Sequence, residues 1–413
     1  MDQGLSPGAD QIMKPAPQST ATPIFQPRAT CRACESHHLM PILDLGVQYL
    51  PRFVPEADTD LPKAPLELIR CAECGLLQLA HTVDPDLLYR EFWYRSGINE
   101  SMRASLADIV RVGEMFFTAG AWLDIGANDG YLLSCVSQEF RKVAVEPALN
   151  FASELQELAD HVVSDYFTAK ATGGERFNVI TSAAMFYDLD RPGPFLDDIY
   201  DSLTEHGIWI NQLNDAPSML QQNAFDAICH EHVCYYDAWS LDALYRRHGL
   251  LIESISFNET NGSSMRVIAR RASGVLSPPV GLLGGIANVS SDDAEAFAKR
   301  VRKWRHVFGN LIANIGPHLW AYGASTKGST LMQYLDMHEY FEAVADRNAR
   351  KHGLRMVGTW LPIKSEAEFR EAAPRYALAL PWAFKPEFDI REAHVRAAGT
   401  TFLYPLPDIG LVL

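Results

Sequence analysis

Ala121-Trp122-Leu123-Asp124-Ile125-Gly126-Ala127-Asn128-Asp129-Gly130-Tyr131-Leu132-Leu133 reads as a buried strand, a tight turn and the start of a helix. Gly126 and Gly130 permit close backbone approach and left-handed conformation, and Asn128, where a further glycine is common, also tolerates it. The next strand, Lys142-Val143-Ala144-Val145-Glu146-Pro147, ends in an acid about twenty residues after the turn, placed to accept from ribose hydroxyls. A nucleoside-containing cofactor is therefore expected at the carboxyl ends of these strands. Its candidate contacts are Asp124, Gly126, Asn128, Asp129, Gly130, Glu146 and Pro147.

A dinucleotide fingerprint needs G-x-G-x-x-G so that backbone amides and a helix dipole meet a pyrophosphate. Here the spacing is Gly126-x-Asn128-x-Gly130, and Asp124 and Asp129 add negative charge. Those carboxylates repel a pyrophosphate and suit a cationic sulfonium and amino group, which favours S-adenosylmethionine over NAD. A strand-turn-helix without any ligand is the remaining alternative. Residues 85–118 are expected to be helical apart from the turn Tyr94-Arg95-Ser96-Gly97, whose Tyr94 and Ser96 are further cofactor candidates. Asp165, after a third strand, is a candidate adenine contact.

The chain has 413 residues, 47% hydrophobic and 21% charged, with a formal net charge of −15. That acidity argues against nonspecific nucleic-acid binding, which depends on phosphate neutralisation. No window approaches about 18 consecutive apolar residues, so no membrane span is expected. Residues 1–28, rich in proline and without an apolar core, read as a disordered leader rather than a secretory signal. Seven cysteines fit a reducing cytoplasm better than a disulfide framework.

Cys31-x-x-Cys34 and Cys71-x-x-Cys74 predict two knuckles that complete a tetrahedron of thiolates around zinc, with no position open for catalysis. A redox pair or four uncoordinated thiols are the rival readings. After the fourth strand (177–182) come Met185-Phe186-Tyr187-Asp188, facing the same cleft. A helix over 196–203 with Gly207 as its cap and a fifth strand over 208–213 are expected next. Phe225-Asp226-Ala227-Ile228-Cys229-His230-Glu231-His232-Val233-Cys234-Tyr235-Tyr236 follows, where active-site loops of open sheets belong. It could be an acid/base site or a second metal site. A hairpin (251–257, 265–269) and a seam at Ser277-Pro278-Pro279 precede a second strand-turn-helix, His318 to Thr330. There Gly323, Ser325 and Lys327 suit a phosphate or diphosphate, although the Walker lysine position holds Ser329.

The ordered set of these motifs resembles the S-adenosylmethionine-dependent sugar C-methyltransferase family. The resemblance implies an α/β architecture of three parts: a four-cysteine zinc module (29–84), a central class I (Rossmann-like) methyltransferase domain (85–275) and a C-terminal Rossmann-like α/β domain (276–413). It implies S-adenosylmethionine and structural Zn2+ as cofactors. It also implies methylation of the carbon beside the ketone of a nucleotide-linked 4-keto-deoxysugar, expected to be dTDP-linked. His232 is assigned as general base, with Glu231 in the substrate pocket and Tyr187, Tyr235 or Tyr236 as donors to the developing oxyanion. Cys229, His230, Tyr235, Tyr236, Ser325 and Lys327 are the candidate substrate contacts. Cys229 stands where many relatives have an aromatic residue, and Tyr187 where a histidine is frequent. A cytoplasmic enzyme is expected, with monomer and homodimer both open. The competing enzyme readings are an NAD(P)-dependent sugar-nucleotide oxidoreductase and a C-methyltransferase of a nonsugar carbonyl compound.

Overall fold

Seven strands form the central sheet, in the order Leu250–Asn258, Ser264–Arg271, Leu203–Asn214, Phe177–Ala183, Gly120–Ile125, Phe140–Val145, His161–Val163. The last five run parallel, and Ser264–Arg271 is antiparallel to both of its neighbours. Strands covered on both faces read as unbroken apolar runs, and Ile208-Trp209-Ile210 is wholly buried. The connections reverse direction between Gly120–Ile125 and Phe177–Ala183, which opens a crevice at their carboxyl ends. The computed structural model describes residues 23–272 and 283–407. The expected seam at Ser277-Pro278-Pro279 lies outside the described residues.

A second, all-parallel sheet has the order Ile363–Ser365, Phe341–Asp346, Leu319–Tyr322, Tyr376–Ala379, Thr401–Leu403. Its own reversal, between Leu319–Tyr322 and Tyr376–Ala379, faces the helix Thr326–Leu335, whose N-cap Ser325 accepts from the Gly328 amide at 3.0 Å. A third sheet is antiparallel: Leu39–Tyr49, Lys63–Cys71, Leu77–Leu79 and, from far along the chain, Cys234–Tyr235. The stretch 225–236 thus supplies the fourth strand of the cysteine-bearing sheet.

Three local expectations are corrected. Residues 25–27 of the predicted leader form a strand, Phe25–Pro27, paired with His81–Val83; residues 1–22 lie outside the described ones. The helix over 85–118 is three pieces: Pro85–Tyr89, a 3-10 turn Ser96–Ile98 and Glu100–Phe116. Between them side chains replace the helical ladder. Asn150 bonds both the amide and the carbonyl of Phe92, and Asn128 bonds the Tyr94 carbonyl and the Ser96 amide. Gly207 is no helix cap: the helix is Pro192–Ser202, and Gly207 lies in the strand Leu203–Asn214. A Cβ there would sit 2.7 Å from the Phe177 carbonyl oxygen, so glycine serves strand-to-strand approach.

Candidate active site

The turn after Gly120–Ile125 holds Gly126 (φ 74), Asn128 (φ 51) and Gly130 (φ 75) in the left-handed region. Asn128 contributes more than its backbone. Its Oδ1 accepts from the Ser96 amide at 3.0 Å and its Nδ2 donates to the Tyr94 carbonyl at 3.0 Å. Asp129 accepts from the Ser96 hydroxyl and the Gly97 amide, both at 3.0 Å, and pairs with Arg95 at 3.7 Å. The 94–97 turn is thereby fastened over the 126–130 turn.

Beneath it lies a cavity of about 470 Å³, within the range of ligand pockets. Tyr94, Ser96, Asp124, Gly126, Asn128, Glu146 and Pro147 line one end. Tyr187, His230, Glu231 and His232 lie on its wall, as do Ser325 and Lys327 from the C-terminal part and Phe53, Thr82 and Val83 from the N-terminal part. Six predicted contacts are not brought to this wall. Asp129 is spent on the 94–97 turn, and Gly130 sits against Leu158, where a Cβ would come within 2.5 Å. Asp165 is exposed and pairs with Arg90 at 3.2 Å, although its neighbours Tyr166 and Phe167 do line the cavity. Cys229 is buried behind the wall. The Tyr235 hydroxyl donates to the His232 carbonyl at 2.8 Å, and Tyr236 packs into the core against Phe186.

Charge is partitioned along the cavity. Asp124, Glu146, Asp188, Asp190, Asp215, Asp226 and Glu231 line it, whereas its lysines, Lys327 and Lys351, both come from the C-terminal part. Lys351 is held by the Ala324 carbonyl at 2.6 Å and Asp346 at 3.3 Å, so Lys327 is the cation available to a ligand there. Burial raises Asp124 to about 7 despite the Thr181 hydroxyl donating to it at 2.7 Å. Burial also raises Glu146, whose two oxygens accept from the Asn128 amide (2.7 Å) and the Ala148 amide (2.8 Å). Each oxygen keeps a second lone pair for a ligand. An acidic end beside a turn that opens on Gly126, which has no Cβ, fits a cationic sulfonium nucleoside, and the donor set therefore suits S-adenosylmethionine.

His232 sits between the two ends. Its Nδ1 lies 3.0 Å from the Ala227 carbonyl oxygen, so Nδ1 carries the proton and Nε2 offers a lone pair. Tyr187 meets the imidazole edge-on, with ring centroids 4.5 Å apart. Burial, together with the Lys327 ammonium, holds His232 down at about 3, which keeps it neutral. Burial raises Glu231 to about 7. His230 turns away: its Nε2 meets the Ala64 carbonyl at 3.1 Å, and burial holds it near 4. The residues that sequence reasoning missed are Asp226, Trp382 and Lys351, and Asp188, expected at the cleft, had no role assigned. Asp188 and Asp226 stand inside quoted motifs, but nothing local marks Trp382, whose indole donates to Asp226 at 2.9 Å.

The four sulfurs of Cys31, Cys34, Cys71 and Cys74 lie within 4.8 Å of one another. Cys31 to Cys74 is 3.6 Å and Cys34 to Cys71 is 3.5 Å. Zn–S bonds of about 2.3 Å in a tetrahedron put sulfurs about 3.8 Å apart, so the residues fit zinc. The Gln78 amide nitrogen, 3.2 Å from Cys31 Sγ, steadies a thiolate. His230, His232, Cys229 and Cys234 form no such cluster, because the two imidazoles are tied to separate carbonyls.

Comparison with known proteins finds three family models in succession along the chain. Family models match residues 31–89 ("Putative zinc binding domain"), 94–255 ("Methyltransferase domain") and 259–407 ("C-methyltransferase C-terminal domain"). C-methyltransferase NovU of Streptomyces niveus is 26% identical over 409 residues, covering 93% of this chain and 97% of the relative. An S-adenosylmethionine-dependent methyltransferase of Clostridium acetobutylicum is 11% identical over 41% of this chain and 92% of its own, with a TM-score of 0.32. The N-methyltransferase NodS of Bradyrhizobium japonicum is 12% identical over 43% and 99%, with a TM-score of 0.34. No helix among the described residues is long and apolar enough to cross a membrane. With zinc module, methyltransferase domain and C-methyltransferase C-terminal domain in that order, the chain belongs to the family of S-adenosylmethionine-dependent C-methyltransferases.

Proposed function

We propose that the methyl acceptor is the carbon beside the ketone of a nucleotide-linked 4-keto-deoxysugar, dTDP-linked in the first instance, and that His232 is the general base. The observation that carries this reading is the His232 imidazole, neutral, anchored through Nδ1 and open to the cavity between an acidic end and Lys327. S-adenosylmethionine, when bound, supplies an electrophilic methyl group. Asp124, Glu146 and the 94–97 turn hold the cofactor. Lys327 and Ser325, at the start of a helix, hold the anionic diphosphate. His232 Nε2 takes the proton from the ring carbon, leaving a carbon nucleophile whose charge is delocalised onto the ketone oxygen. Tyr187 and Glu231 face that oxygen. Holding both reactants at near-attack distance contributes on the order of 7–11 kcal/mol.

A panel of nucleotide-linked sugars tests the substrate. A dTDP-4-keto-deoxysugar is expected to be methylated on carbon, and its 4-hydroxy counterpart, which has no acidified C–H, is expected to be inert. Turnover of the hydroxy sugar, or turnover confined to nonsugar carbonyl compounds, would sink the assignment.

The cofactor end makes a pH prediction. Asp124 is neutral below about 7 and ionised above it. Its attraction for a cation therefore appears as pH rises through 7. S-adenosylmethionine affinity is expected to tighten about tenfold between pH 6 and 8, by one linked proton. S-adenosylhomocysteine, without the sulfonium, gains less, and Asp124→Asn flattens both curves. Calorimetric titrations at the two pH values check this.

A further inference from the structure

Two dipeptides, Tyr187-Asp188 and Glu231-His232, clasp each other across the middle of the cavity. The Val233 amide donates to the Tyr187 carbonyl at 3.0 Å, and the Tyr187 and His232 rings meet at 4.5 Å. Tyr89 closes the clasp: its hydroxyl donates to the Glu231 carbonyl at 2.7 Å and lies within hydrogen-bond reach of the Asp188 carboxyl. Two carboxyl groups are thus brought to one stretch of wall, close enough for the charge of Glu231 to raise Asp188. Asp188 Oδ1 and Glu231 Oε2 are buried and accept no hydrogen bond among the described residues.

The groups facing the pair are Tyr89, Tyr187, Tyr235 and Cys229, all neutral acids, and the neutral His232. The Cys229 thiol makes a hydrogen bond to Glu231. Lys327 acts on His232 and Cys229 rather than on the pair. Asp190, two residues on, is occupied by Arg32 at 3.0 Å and Arg28 at 3.3 Å. Two ionised carboxylates without a cation in a dry wall repel each other and forfeit hydration, and one proton between them relieves both costs.

We propose that Asp188 and Glu231 share one proton at working pH, and that the O–H so held donates to the substrate oxygen that gains negative charge as His232 removes the neighbouring proton. This rests on the enolate reading given above. No proton leaves the pair: a hydrogen bond shortens onto the oxyanion, and the C–H proton goes to His232. Glu231 touches substrate and Asp188 is a positioning residue, because a second buried carboxyl lets the pair keep one proton where Glu231 alone would lose it. Burial raises Glu231 to about 7 and Asp188 well above the carboxylate range, in the same sense. The proton belongs to the pair rather than to either member. The device answers a need of this site. An imidazole held near 3 is a weak base, so stabilisation of the oxyanion must carry more of the barrier.

Infrared difference spectroscopy of the intact enzyme reads the proton directly. At pH 7.5 the wild type is expected to show a protonated-carboxyl C=O band that shifts in D2O, absent from Asp188→Asn and from Glu231→Gln. Exchange of the sugar's α-hydrogen with D2O, with S-adenosylhomocysteine bound, reads the chemistry apart from methyl transfer. Asp188→Asn is expected to slow exchange about 10²-fold at pH 8 and much less at pH 6, where Glu231 alone retains a proton. A merely structural role would not give that pH-dependent rescue. Asp188→Ala, melting curves and S-adenosylhomocysteine binding control for folding. Absence of the band in the wild type, or its persistence in Asp188→Asn, overturns the shared proton. Loss of the band with exchange unchanged overturns the donor role. A wild type that methylates without exchanging fails the enolate reading, and the donor role with it, while the band still decides the shared proton.

Discussion

Asn in place of His232 is expected to lower kcat about 10³- to 10⁴-fold, the upper range for a positioned general base. Asn is the informative substitution because its side-chain amide can still donate to the Ala227 carbonyl, the anchor of His232 Nδ1 at 3.0 Å. What is removed is the Nε2 lone pair. S-adenosylhomocysteine binding should stay within about twofold, since the cofactor contacts belong to 94–97, Asp124–Asn128 and Glu146. A base works only when deprotonated, so its activity is present above its pKa and lost below. At about 3, His232 gives no acidic limb between pH 5 and 8. Asp124 and Glu231 both lie at about 7, so a limb there in kcat/KM belongs to Asp124 if it vanishes in Asp124→Asn and to Glu231 if it persists. Steady-state methyl transfer beside calorimetric cofactor binding checks all of this. A loss of less than tenfold would remove His232 from the chemistry.

The strand-turn-helix at 121–133 was legible because its demands are local. Only a few residues accept φ near +51 at position 128, and the apolar run before it has one use. The same turn hid the reason for Asn128 and Asp129. Both side chains serve the 94–97 turn, a tertiary contact that no spacing encodes. Apolar periodicity over 85–118 recorded burial and helix correctly from Met102 to Val110, but Met115 and Phe116 are exposed, and the helix is broken before Glu100, where Asn150 and Asn128 satisfy the backbone. The titratable density of 225–236 did point to the cavity. It did not separate the residues that reach the wall, His230, Glu231 and His232, from Cys229, Tyr235 and Tyr236. A tertiary pairing draws Tyr235 and Tyr236 off the wall. Cys234–Tyr235 is drawn into a strand whose partner, Leu77–Leu79, lies more than 150 residues earlier. Long-range pairing of a two-residue strand leaves almost no local trace.

That pairing sets the expected outcome of removing zinc. Cys71→Ser, or treatment with a strong chelator, should abolish zinc binding, lower the melting temperature and reduce kcat at least hundredfold. Binding of S-adenosylhomocysteine should change less than tenfold. A four-thiolate site contributes on the order of 10–16 kcal/mol, as much as the whole net stability of a domain, so the small N-terminal sheet will not persist without it. Cys71 ends the strand Lys63–Cys71, and its knuckle closes through the Leu76 carbonyl at 2.9 Å. From there the sheet reaches the base. The Leu79 amide donates to the Val233 carbonyl at 2.9 Å, His230 meets the Ala64 carbonyl at 3.1 Å, and Cys234 pairs with Gln78. Without these ties His232 keeps its Ala227 anchor and the local bonds to Tyr187, Tyr89, Tyr235 and Cys229, but nothing fixes the segment against the N-terminal sheet. Misplacement by about 1 Å is enough to cost about 10²-fold. A zinc site that merely stiffens its own module would lower the melting temperature and leave kcat per cofactor-binding site unchanged. His230→Phe separates the two cases, because it cuts one tie and leaves all four thiolates. It should bind zinc normally and still lose about tenfold in kcat, and full activity in that variant would disconnect the metal from the base.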